Sequence, residues 1–385
     1  MKAIARLAGV AVLALALAAL FATAAAASSG HHKPHHPAHP PHPLPAAVFV
    51  QTNDPAGNAV VAYERGSDGG LGEAETYPTG GLGGALDEAV VDRLASQGSL
   101  TLDREAGLLY AVNAGSDTVT VFAVRGNKLL RRQVVRSGGD FPVSVAVNGR
   151  LVYVLNARGG GSLQGYIRFG TKLYPIRFWH RDLGLDSEAA PEFVNTPGQV
   201  AFTPDGSKLL VTTKANGHAV DVFDVRRSGG LSRDPVVNEL PETVPFAMSF
   251  DPQGRLVLAE AAGSVATFDV NGDGTLGAVD LKETGGAATC WIVGIGSTFY
   301  ASNTGSDTLS GYDVDGGGLL SALGDTSTGP APIDAAASAD GSFLYVQTGA
   351  EGGVDEFRVN GDGSLTQIGS ILVPGSAGGE GIAAS

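Results

Sequence analysis

The chain has 385 residues but only one cysteine, Cys290. A single cysteine excludes an intrachain disulfide, and it leaves none near the N-terminus for the attachment of a lipid. A nucleophilic Cys290 would need a nearby base, and the only histidines beyond residue 45, His180 and His218, are distant from it in sequence. We therefore predict that Cys290 is a small buried side chain and that the fold rests on its apolar core.

Positive charge is also scarce, since 25 Lys and Arg stand against 39 Asp and Glu and the net charge is −14. An acidic protein without a basic stripe is repelled by phosphate groups. These properties argue against nucleic acid as a partner, and equally against electrostatic docking to an anionic membrane. We expect a monomer whose acidity keeps it soluble outside the cell.

Long helical patterns are lacking as well, and only residues 85–96, ALDEAVVDRLAS, could form a helix. The chain instead repeats a strand-rich unit. The segment YAVNAGSDTVTVF, beginning at Tyr110, returns almost intact as YASNTGSDTLSGY, beginning at Tyr300. Valine-rich and aromatic-rich runs bounded by Gly, Asn and Asp are typical of β-strands joined by tight turns.

Seven copies of the unit can be counted from the residue that ends the second strand of each. These residues are Asn53, Asn113, Asn156, Lys214, Glu260, Asn303 and Gly349. Four of the separations are 43 or 46 residues, which is the range of four-stranded propeller blades. The other two, of 60 and 58 residues, predict insertions in the first and third repeats.

The first repeat and the C-terminal segment predict how a ring of blades would close. The first copy begins with its second strand, AVFVQTN, and the C-terminal GGEGIAAS resembles an innermost strand with nothing after it. We therefore predict an all-β fold, a seven-bladed β-propeller over residues 46–385, in which the C-terminal strand completes the first blade. Such closure hides the two edges of an open sheet.

Residues 1–27 combine a basic start, an apolar stretch and Ala-x-Ala before Ser28, which predicts a secretory signal peptide cleaved after Ala27. The apolar run is long enough that an uncleaved anchor stays open as an alternative. After cleavage we expect no membrane span, and we expect the protein to be secreted, extracellular or associated with the cell envelope.

Residues 28–45 are rich in histidine and proline, which predicts a linker. Two compatible interpretations are an extended polyproline-type spacer and a site for Ni²⁺, Cu²⁺ or Zn²⁺. Because a proline-rich chain cannot form a fixed cage, metal binding here would be loose, and no other cofactor is expected to be required. The histidines concerned are His31, His32, His35, His36, His39 and His42.

The segment from Asp269 to Asp280, DVNGDGTLGAVD, has the spacing of a calcium-binding loop. Related segments such as VNGDGSLTQIG at Val359 occupy the same place in other repeats without the final carboxylate. Predicted strands flank all of them, where a calcium hand needs helices. A hairpin turn that requires Asn, Asp and Gly explains the whole set, so calcium is not expected here.

The third repeat carries an aromatic and basic cluster. It could bind a sugar or an aromatic ligand, or it could cover a blade edge and pack against a neighbour, and we favour packing. The cluster comprises Tyr166, Arg168, Phe169, Tyr174, Arg177, Phe178, Trp179, His180 and Arg181.

In a propeller, the loops before the inner strands and the loops after the second strands meet on one face around the axis, and ligand sites form at such mouths. Lys214 and Glu260 are notable there, because most repeats have Asn at the end of the second strand. Candidate ligand-binding residues in the loops before the inner strands are Gln97, Asp140, Glu192, Gln199 and Glu242.

The chain resembles the lactonase family of seven-bladed propellers, which includes 6-phosphogluconolactonase and carboxymuconate cyclase and has YVTN-repeat relatives. The resemblance lies in LASQGSLTLDREAGLLYAVNAGSDTVTVF, CWIVGIGSTFYASNTGSDTLSGY and PAPIDAAASADGSFLYVQTG. It implies His and Arg before an inner strand, in a segment like GPRH, and a Glu after a second strand. Here the matching segment is NTPGQVAFTPDG, with Gln199 where a basic pair is expected, whereas Glu260 could match the acid.

Two functions follow from this resemblance. The first is a secreted propeller that binds a small-molecule or protein ligand at its mouth, with an incomplete catalytic set; the second is a lactone hydrolase or lactonising cyclase with altered catalytic groups. A lactonase needs an electrophile to polarise the carbonyl and a base to activate water. We favour the first function. The candidates available for the second are Arg93, Lys214, His218 and Glu260.

Overall fold

The seven sequence repeats form seven four-stranded antiparallel sheets in the computed structural model, which describes residues 46–385. The innermost strands of neighbouring sheets contact one another around the ring, and the second strands are almost wholly buried. The predicted all-β, seven-bladed propeller is confirmed, with one blade for each of the seven copies counted in the sequence.

The strands of each blade are given from the axis outwards. Blade 1 contains β28 (Ile382–Ala384), β1 (Ala46–Gln51), β2 (Ala59–Arg65) and β3 (Leu71–Pro78). Blade 2 contains β4 (Leu100–Asp103), β5 (Leu108–Asn113), β6 (Thr118–Arg125) and β7 (Lys128–Arg136). Blade 3 contains β8 (Pro142–Asn148), β9 (Leu151–Asn156), β10 (Ser162–Phe169) and β11 (Lys172–Asp182). Blade 4 contains β12 (Val200–Phe202), β13 (Lys208–Thr212), β14 (Ala219–Asp224) and β15 (Val236–Glu239).

The remaining blades follow the same order. Blade 5 contains β16 (Pro245–Phe250), β17 (Leu256–Glu260), β18 (Ser264–Val270) and β19 (Leu276–Glu283). Blade 6 contains β20 (Thr289–Ile295), β21 (Thr298–Asn303), β22 (Thr308–Val314) and β23 (Leu320–Ser327). Blade 7 contains β24 (Pro332–Ala337), β25 (Phe343–Thr348), β26 (Gly353–Val359) and β27 (Leu365–Leu372). Two four-residue helices, α1 (Glu192–Asn195) and α2 (Lys214–Gly217), and a 3₁₀ turn at Ala114–Ser116 complete the elements.

The ring closes as the sequence predicted. Strand β28 pairs antiparallel with β1, and Val48 lies opposite Ala384. The Gln51 N–H also binds the Gly381 carbonyl at 2.8 Å, which extends the ladder beyond the strand. The C-terminal strand is therefore the innermost strand of blade 1, and the sheet edge that it covers is not left open.

Neighbouring blades are joined by a tyrosine contact that recurs in blades 3, 6 and 7. A tyrosine of the second strand donates its hydroxyl, at 2.7 Å, to a glycine carbonyl in the outer hairpin turn of the next blade. The three glycines have positive φ, a conformation that a Cβ would disfavour. The pairs are Tyr153 with Gly229, Tyr300 with Gly363 and Tyr345 with Gly69.

The two insertions predicted from the repeat spacing are present at residues 79–99 and 183–199, and we call them insertion A and insertion B. Insertion A links blade 1 to blade 2, and insertion B, which contains α1, links blade 3 to blade 4. They touch each other, because the Asp87 N–H of insertion A binds the Glu192 carboxylate of insertion B at 2.6 Å.

Residues 85–96, the one segment whose pattern left a helix open, do not form a helix. Glu88 and Ala95 have φ values of 64° and 47°, which a right-handed helix excludes. The Asp92 carboxylate also accepts the backbone N–H groups of Leu94 and Ser96, at 2.8 and 3.1 Å. Such local side-chain bonds compete with the helical hydrogen-bond pattern.

Neither of the two short helices within residues 46–385 has the length and apolar character needed to span a bilayer. The predicted signal peptide and the His/Pro-rich linker lie outside the residues that the structure describes.

Candidate functional site

Insertion A spans the central channel at the mouth of the ring. Gln97, just before blade 2, exchanges two 3.0 Å hydrogen bonds between its side-chain amide and the backbone of Ile292 in blade 6. Blades 1 and 7 separate these two blades on the shorter path around the ring. The Trp291 indole also donates to the Ser96 carbonyl at 2.6 Å. Insertion A is therefore fixed to the blade on the far side of the axis.

A cavity of about 440 Å³ lies beside this bridge. Its wall comes from both insertions and from the mouth loops of blades 4, 5 and 6, and its volume is typical of small-molecule sites. Four of the sixteen lining residues are polar or carry a thiol, namely Asp92, Lys214, Cys290 and Thr304. The twelve apolar ones are Val90, Val91, Ala95, Phe193, Val194, Ala215, Val244, Phe246, Ala261, Ala262, Ala288 and Trp291.

Lys214 joins both insertions to blade 4. Its side chain is fully buried. Its ammonium donates to the carbonyls of Ala95 and Phe193, at 2.7 and 2.6 Å, and to the Thr196 hydroxyl at 3.1 Å. These bonds use all three donors of an ammonium group. Lys214 therefore positions the wall of the cavity and offers no spare donor to a ligand.

Burial governs the ionisation of the groups in this wall. It lowers the pKa of Lys214 to about 7, although the charges of Asp92, Cys290 and Glu192 act in the opposite direction. It raises the pKa of Asp92 to about 6, against backbone N–H groups and the Lys214 charge. It raises the pKa of Cys290 to about 12. Cys290 is buried, as predicted, and its thiol stays protonated at neutral pH.

Glu260 occupies the place of the repeat asparagine and makes the same kind of contact. Asn113 and Asn303 donate to threonine hydroxyls at the start of the third strands of blades 2 and 6, at 3.0 and 3.1 Å. In blade 5, Glu260 Oε2 accepts a 2.5 Å bond from the Ser264 hydroxyl. Glu260 is buried, which raises its pKa, and it does not line the cavity.

His218 and Arg93 also lie outside the cavity lining. His218 ends α2 with a φ of 46°, and its carbonyl accepts the Leu240 N–H at 2.6 Å. Arg93 is half-buried and donates Nη1 to the Asn53 carbonyl at 3.4 Å. Of the four candidate catalytic residues, the cavity therefore includes Lys214 and does not bring the other three to its wall.

Both candidate ligand-binding glutamines, Gln97 and Gln199, form hydrogen bonds with the backbone of an inner strand in another blade. Gln199, just before blade 4, accepts the Met248 N–H at 2.5 Å and donates to the Met248 carbonyl at 3.3 Å. This pairing with the next blade is the short-range counterpart of the contact that Gln97 makes across the axis.

The candidate ligand-binding carboxylates lie outside the cavity as well. Glu192 accepts two bonds from the Arg158 guanidinium, at 2.7 and 3.0 Å, which lower its pKa. This ion pair anchors insertion B to the mouth loop of blade 3, and the Asp87 contact joins insertion B to insertion A. Asp140 and Glu242 are exposed on the surface of the mouth.

Sequence reasoning missed the apolar side chains that build the cavity. Val91 and Phe193 belong to insertions that have no counterpart in the other repeats. Phe246 and Trp291 lie in inner strands, and their ring centroids are 4.9 Å apart. Apolar residues are expected in such strands for packing alone, so the extra length of two repeats was the one signal of a site.

The calcium-like segment forms the hairpin turn between β18 and β19, as predicted. The Asn271 N–H binds the Thr275 carbonyl at 2.9 Å, and Gly274 has a φ of 89°. The Asp273 carboxylate accepts the Thr275 N–H at 3.0 Å, which stabilises the turn. Among residues 46–385, no three His, Cys, Asp or Glu side chains are grouped so that they could hold a metal ion. The six linker histidines fall outside that range.

Comparison with known proteins gives a family match and structural neighbours. Residues 194–377 match the family model described as lactonase, 7-bladed beta-propeller. A candidate 6-phosphogluconolactonase from Bacteroides fragilis aligns with a TM-score of 0.67 at 20% identity, over 90% of this chain and 99% of its own.

Two further solved structures are similar. The periplasmic gluconolactonase PpgL of Pseudomonas aeruginosa aligns with a TM-score of 0.67 at 20% identity, over 85% of this chain and 96% of its own. A protein from Lactobacillus plantarum aligns with a TM-score of 0.70 at 19% identity, over 89% and 99%. No curated protein sequence matched the chain. The resemblance predicted from the sequence is confirmed at the level of the fold and the family model: the chain is a seven-bladed β-propeller, and its residues 194–377 match the lactonase family model.

Proposed function

We propose that this protein binds an uncharged, largely apolar small molecule in the cavity between insertions A and B. The observation that carries the proposal is the composition of the wall, since twelve of sixteen lining residues are apolar. The two groups of opposite charge there are already engaged by the protein: Lys214 gives all three of its donors to protein acceptors, and the Asp92 carboxylate accepts backbone N–H groups of insertion A. A charged ligand would lose its hydration without gaining a partner, which is costly in an apolar site. A concave cavity of this volume is also better suited to bind a small molecule than to bind the surface of another protein.

An exported location is part of the proposal. It is supported by the leader predicted in residues 1–27 and by the periplasmic location named for the Pseudomonas aeruginosa neighbour. Loose binding of a divalent transition metal to the linker histidines stays a prediction from the sequence.

The second candidate function is the hydrolysis or formation of a lactone. It is favoured by the family match and by the gluconolactonase among the structural neighbours. The reaction needs a group that polarises the carbonyl and a base for water. Glu260 is the base suggested by the resemblance, but its carboxylate is bonded to Ser264. Because the cavity has few polar groups, an apolar lactone is the substrate to test.

Trp291 provides a reporter for the cavity, because it lines the wall and the only other tryptophan, Trp179, lies in β11 of blade 3. In a Trp179→Phe background, we expect δ-decalactone to change the fluorescence of Trp291 in a saturable manner. Glucono-δ-lactone, which is rich in hydroxyl groups, should not. Proton release measured against a protein-free blank shows whether either lactone is hydrolysed.

Two matched variants locate the binding. Ala261→Phe narrows the cavity, and we expect it to weaken δ-decalactone binding at least about tenfold, or ~1.4 kcal/mol. Ala56→Phe makes the same change in the corresponding loop of blade 1 and should have no effect. Equal binding by both variants, or no response of Trp291 to δ-decalactone, would contradict the proposed ligand site. Hydrolysis that falls at least about a hundredfold in Glu260→Gln would instead establish the lactonase function.

A further inference from the structure

Positive charge is concentrated on the outer edge of blades 2 and 3. Residues 125–182 hold eleven of the 25 Lys and Arg but only two of the 39 Asp and Glu, in a chain with a net charge of −14. The outermost strands show the contrast clearly. Strand β7 has four cations and no acid, and β11 has three cations and one acid. By contrast, β3, β15, β19 and β23 each carry a net negative charge, and β27 carries none.

Most of these cations are not neutralised by carboxylates. Within the described part of the chain, three of the eleven form ion pairs. Arg132 donates to the Thr171 hydroxyl at 3.3 Å, and Lys172 donates to the Arg132 carbonyl. These neutral acceptors hold the two side chains together where blades 2 and 3 meet. Arg177 is exposed further along β11.

Apolar side chains project from the same edge. The exposed fraction is 83% for Phe178, 68% for Phe169 and 57% for Leu130. Phe178 lies in a bulge of β11, because residues 176–179 stand opposite Gly165 alone between two paired positions. A bulge of this kind redirects side chains away from the sheet.

The packing predicted for the aromatic cluster of blade 3 is thus only partly correct. Tyr166 is buried, and Trp179 stacks on Tyr153 with ring centroids 6.1 Å apart. Phe169 and Phe178 instead face solvent, as does half of Tyr174. Large apolar residues at the rim of a blade, next to unpaired cations, are typical of an interaction surface rather than of a packed edge.

We propose that this edge docks on the surface of an anionic lipid bilayer. The outermost strands are the parts of the blades furthest from the ring axis, so a flat surface that touches blades 2 and 3 meets β7 and β11 along their length. Cations near an anionic bilayer are attracted to it, and apolar side chains enter its headgroup region. The residues that define this basic edge are Leu130, Arg132, Phe169, Lys172, Arg177 and Phe178.

Two features favour a bilayer over a nucleic acid. Leu130 and the two phenylalanines suit an acyl boundary, whereas single-stranded nucleic acid is bound in a charged groove lined with stacking rings. The edge is the convex outside of the ring. The net negative charge of the chain does not prevent docking, because the acidic blades lie on other sides of the ring. Their repulsion is screened beyond about 8 Å at physiological salt.

The test is co-sedimentation of the full chain with vesicles of 30% phosphatidylglycerol in phosphatidylcholine, and with pure phosphatidylcholine. Arg177→Gln combined with Phe178→Ala should weaken binding to the anionic vesicles at least about fivefold at low salt, and adding Lys172→Gln should weaken it further. Arg358→Gln combined with Leu372→Ala is the matched control, because both residues are exposed on blade 7, across the ring. All proteins share one N-terminus, so any binding that it contributes is common to them.

We expect the control to bind like the wild type and the difference between the variants to vanish at high salt. Equal binding of the blade 3 and blade 7 variants, or no preference of the wild type for anionic vesicles, would overturn the proposal. So would a 30-residue oligodeoxythymidine that binds at this edge while vesicles do not, or self-association through the edge in sedimentation velocity.

Discussion

Replacement of Asp334 by Asn should change how the stability of the ring depends on pH. Asp334, in β24, belongs to three buried carboxyl groups at the ring closure, which we call the closure carboxyls; the other two are Asp92 and Glu380. Asp334 Oδ2 accepts the Ile382 N–H of the closing strand at 3.3 Å, and Glu380 accepts the Ser96 hydroxyl at 3.2 Å. The closure carboxyls therefore link blades 7, 1 and 2.

Burial favours the protonated form of these groups. It raises the pKa of Asp334 to about 7 and that of Asp92 to about 6. It raises the pKa of Glu380 well above its usual value, and the charges of Asp334 and Asp92 raise it further. The charge of Lys214 opposes this effect at Asp92. The folded protein thus holds protons that the unfolded chain has released above pH 4.

The sign of the effect follows from this difference. Each raised pKa contributes stability that is fully present below the unfolded value, near pH 4, and that is lost as the pH rises through the folded value. For Asp334, the difference between 3.8 and about 7 corresponds to roughly 4 kcal/mol. The wild-type protein should therefore lose stability between pH 4.5 and pH 8.

Asp334→Asn keeps the shape of the neutral acid and cannot ionise. The free energy of unfolding of the wild type, minus that of the variant, should fall by about 2–4 kcal/mol between pH 4.5 and pH 8. Urea unfolding followed by tryptophan fluorescence measures this difference at each pH. Asp234→Asn, at an exposed position, controls for the loss of one carboxylate. A difference that stays constant, or that rises with pH, would refute the reasoning.

Two further predictions concern the ring and the insertions. Deletion of Gly378–Ser385 removes β28 and exposes the edge of β1, so calorimetry should show loss of the cooperative unfolding transition. A truncated chain that melts like the full chain would contradict the role of β28 in ring closure. Lys214→Met leaves three buried acceptors without a donor and should destabilise the fold by about 2–4 kcal/mol. Hydrogen exchange should become faster in both insertions of this variant. The control Lys282→Met, at an exposed position, should change neither the stability nor the exchange rates. Unchanged exchange in the Lys214 variant would exclude the positioning role of Lys214.

The blades could be predicted from the sequence because several contacts recur from one blade to another. Tyr153 and Tyr300 contact the next blade in the same way, and Asn113 and Asn303 bind the start of the third strand in the same way. A contact that recurs leaves a periodic trace in the sequence, and its spacing gives the blade number. Closure by the C-terminal strand follows from the same count.

The cavity could not be predicted in this way because its contacts occur once. Insertion A meets blade 6 through Gln97 and Ile292, which are 195 residues apart. The sequence showed that two repeats were too long, but it held no second example from which to infer their path. The local spacing of apolar residues was also a poor guide at residues 85–96. It left a helix open there, but the hydrogen bond that the Asp92 carboxylate accepts and the positive φ of Ala95 prevent one.

Net charge also does not describe how charge is distributed around the ring. The value of −14 is an average over the ring, whereas a partner meets one side of it. The cations of β7 and β11 lie more than thirty residues apart in the chain, and adjacent blades bring them together. The net charge of the sequence therefore does not show that the arrangement of blades places positive charge on one side of the ring.

Lys214 and Glu260 show when a departure from a repeat is informative. Both replace the asparagine that ends a second strand, and the sequence alone gave no reason to treat them differently. Glu260 lies in blade 5, which has no insertion before it, and it keeps the repeated contact by binding Ser264. Lys214 lies in blade 4, directly after insertion B, and its longer side chain reaches carbonyls of both insertions. A changed residue beside an insertion has new acceptors within reach, so it can acquire a role that the repeat does not provide. In this chain that role is to hold the wall of the cavity.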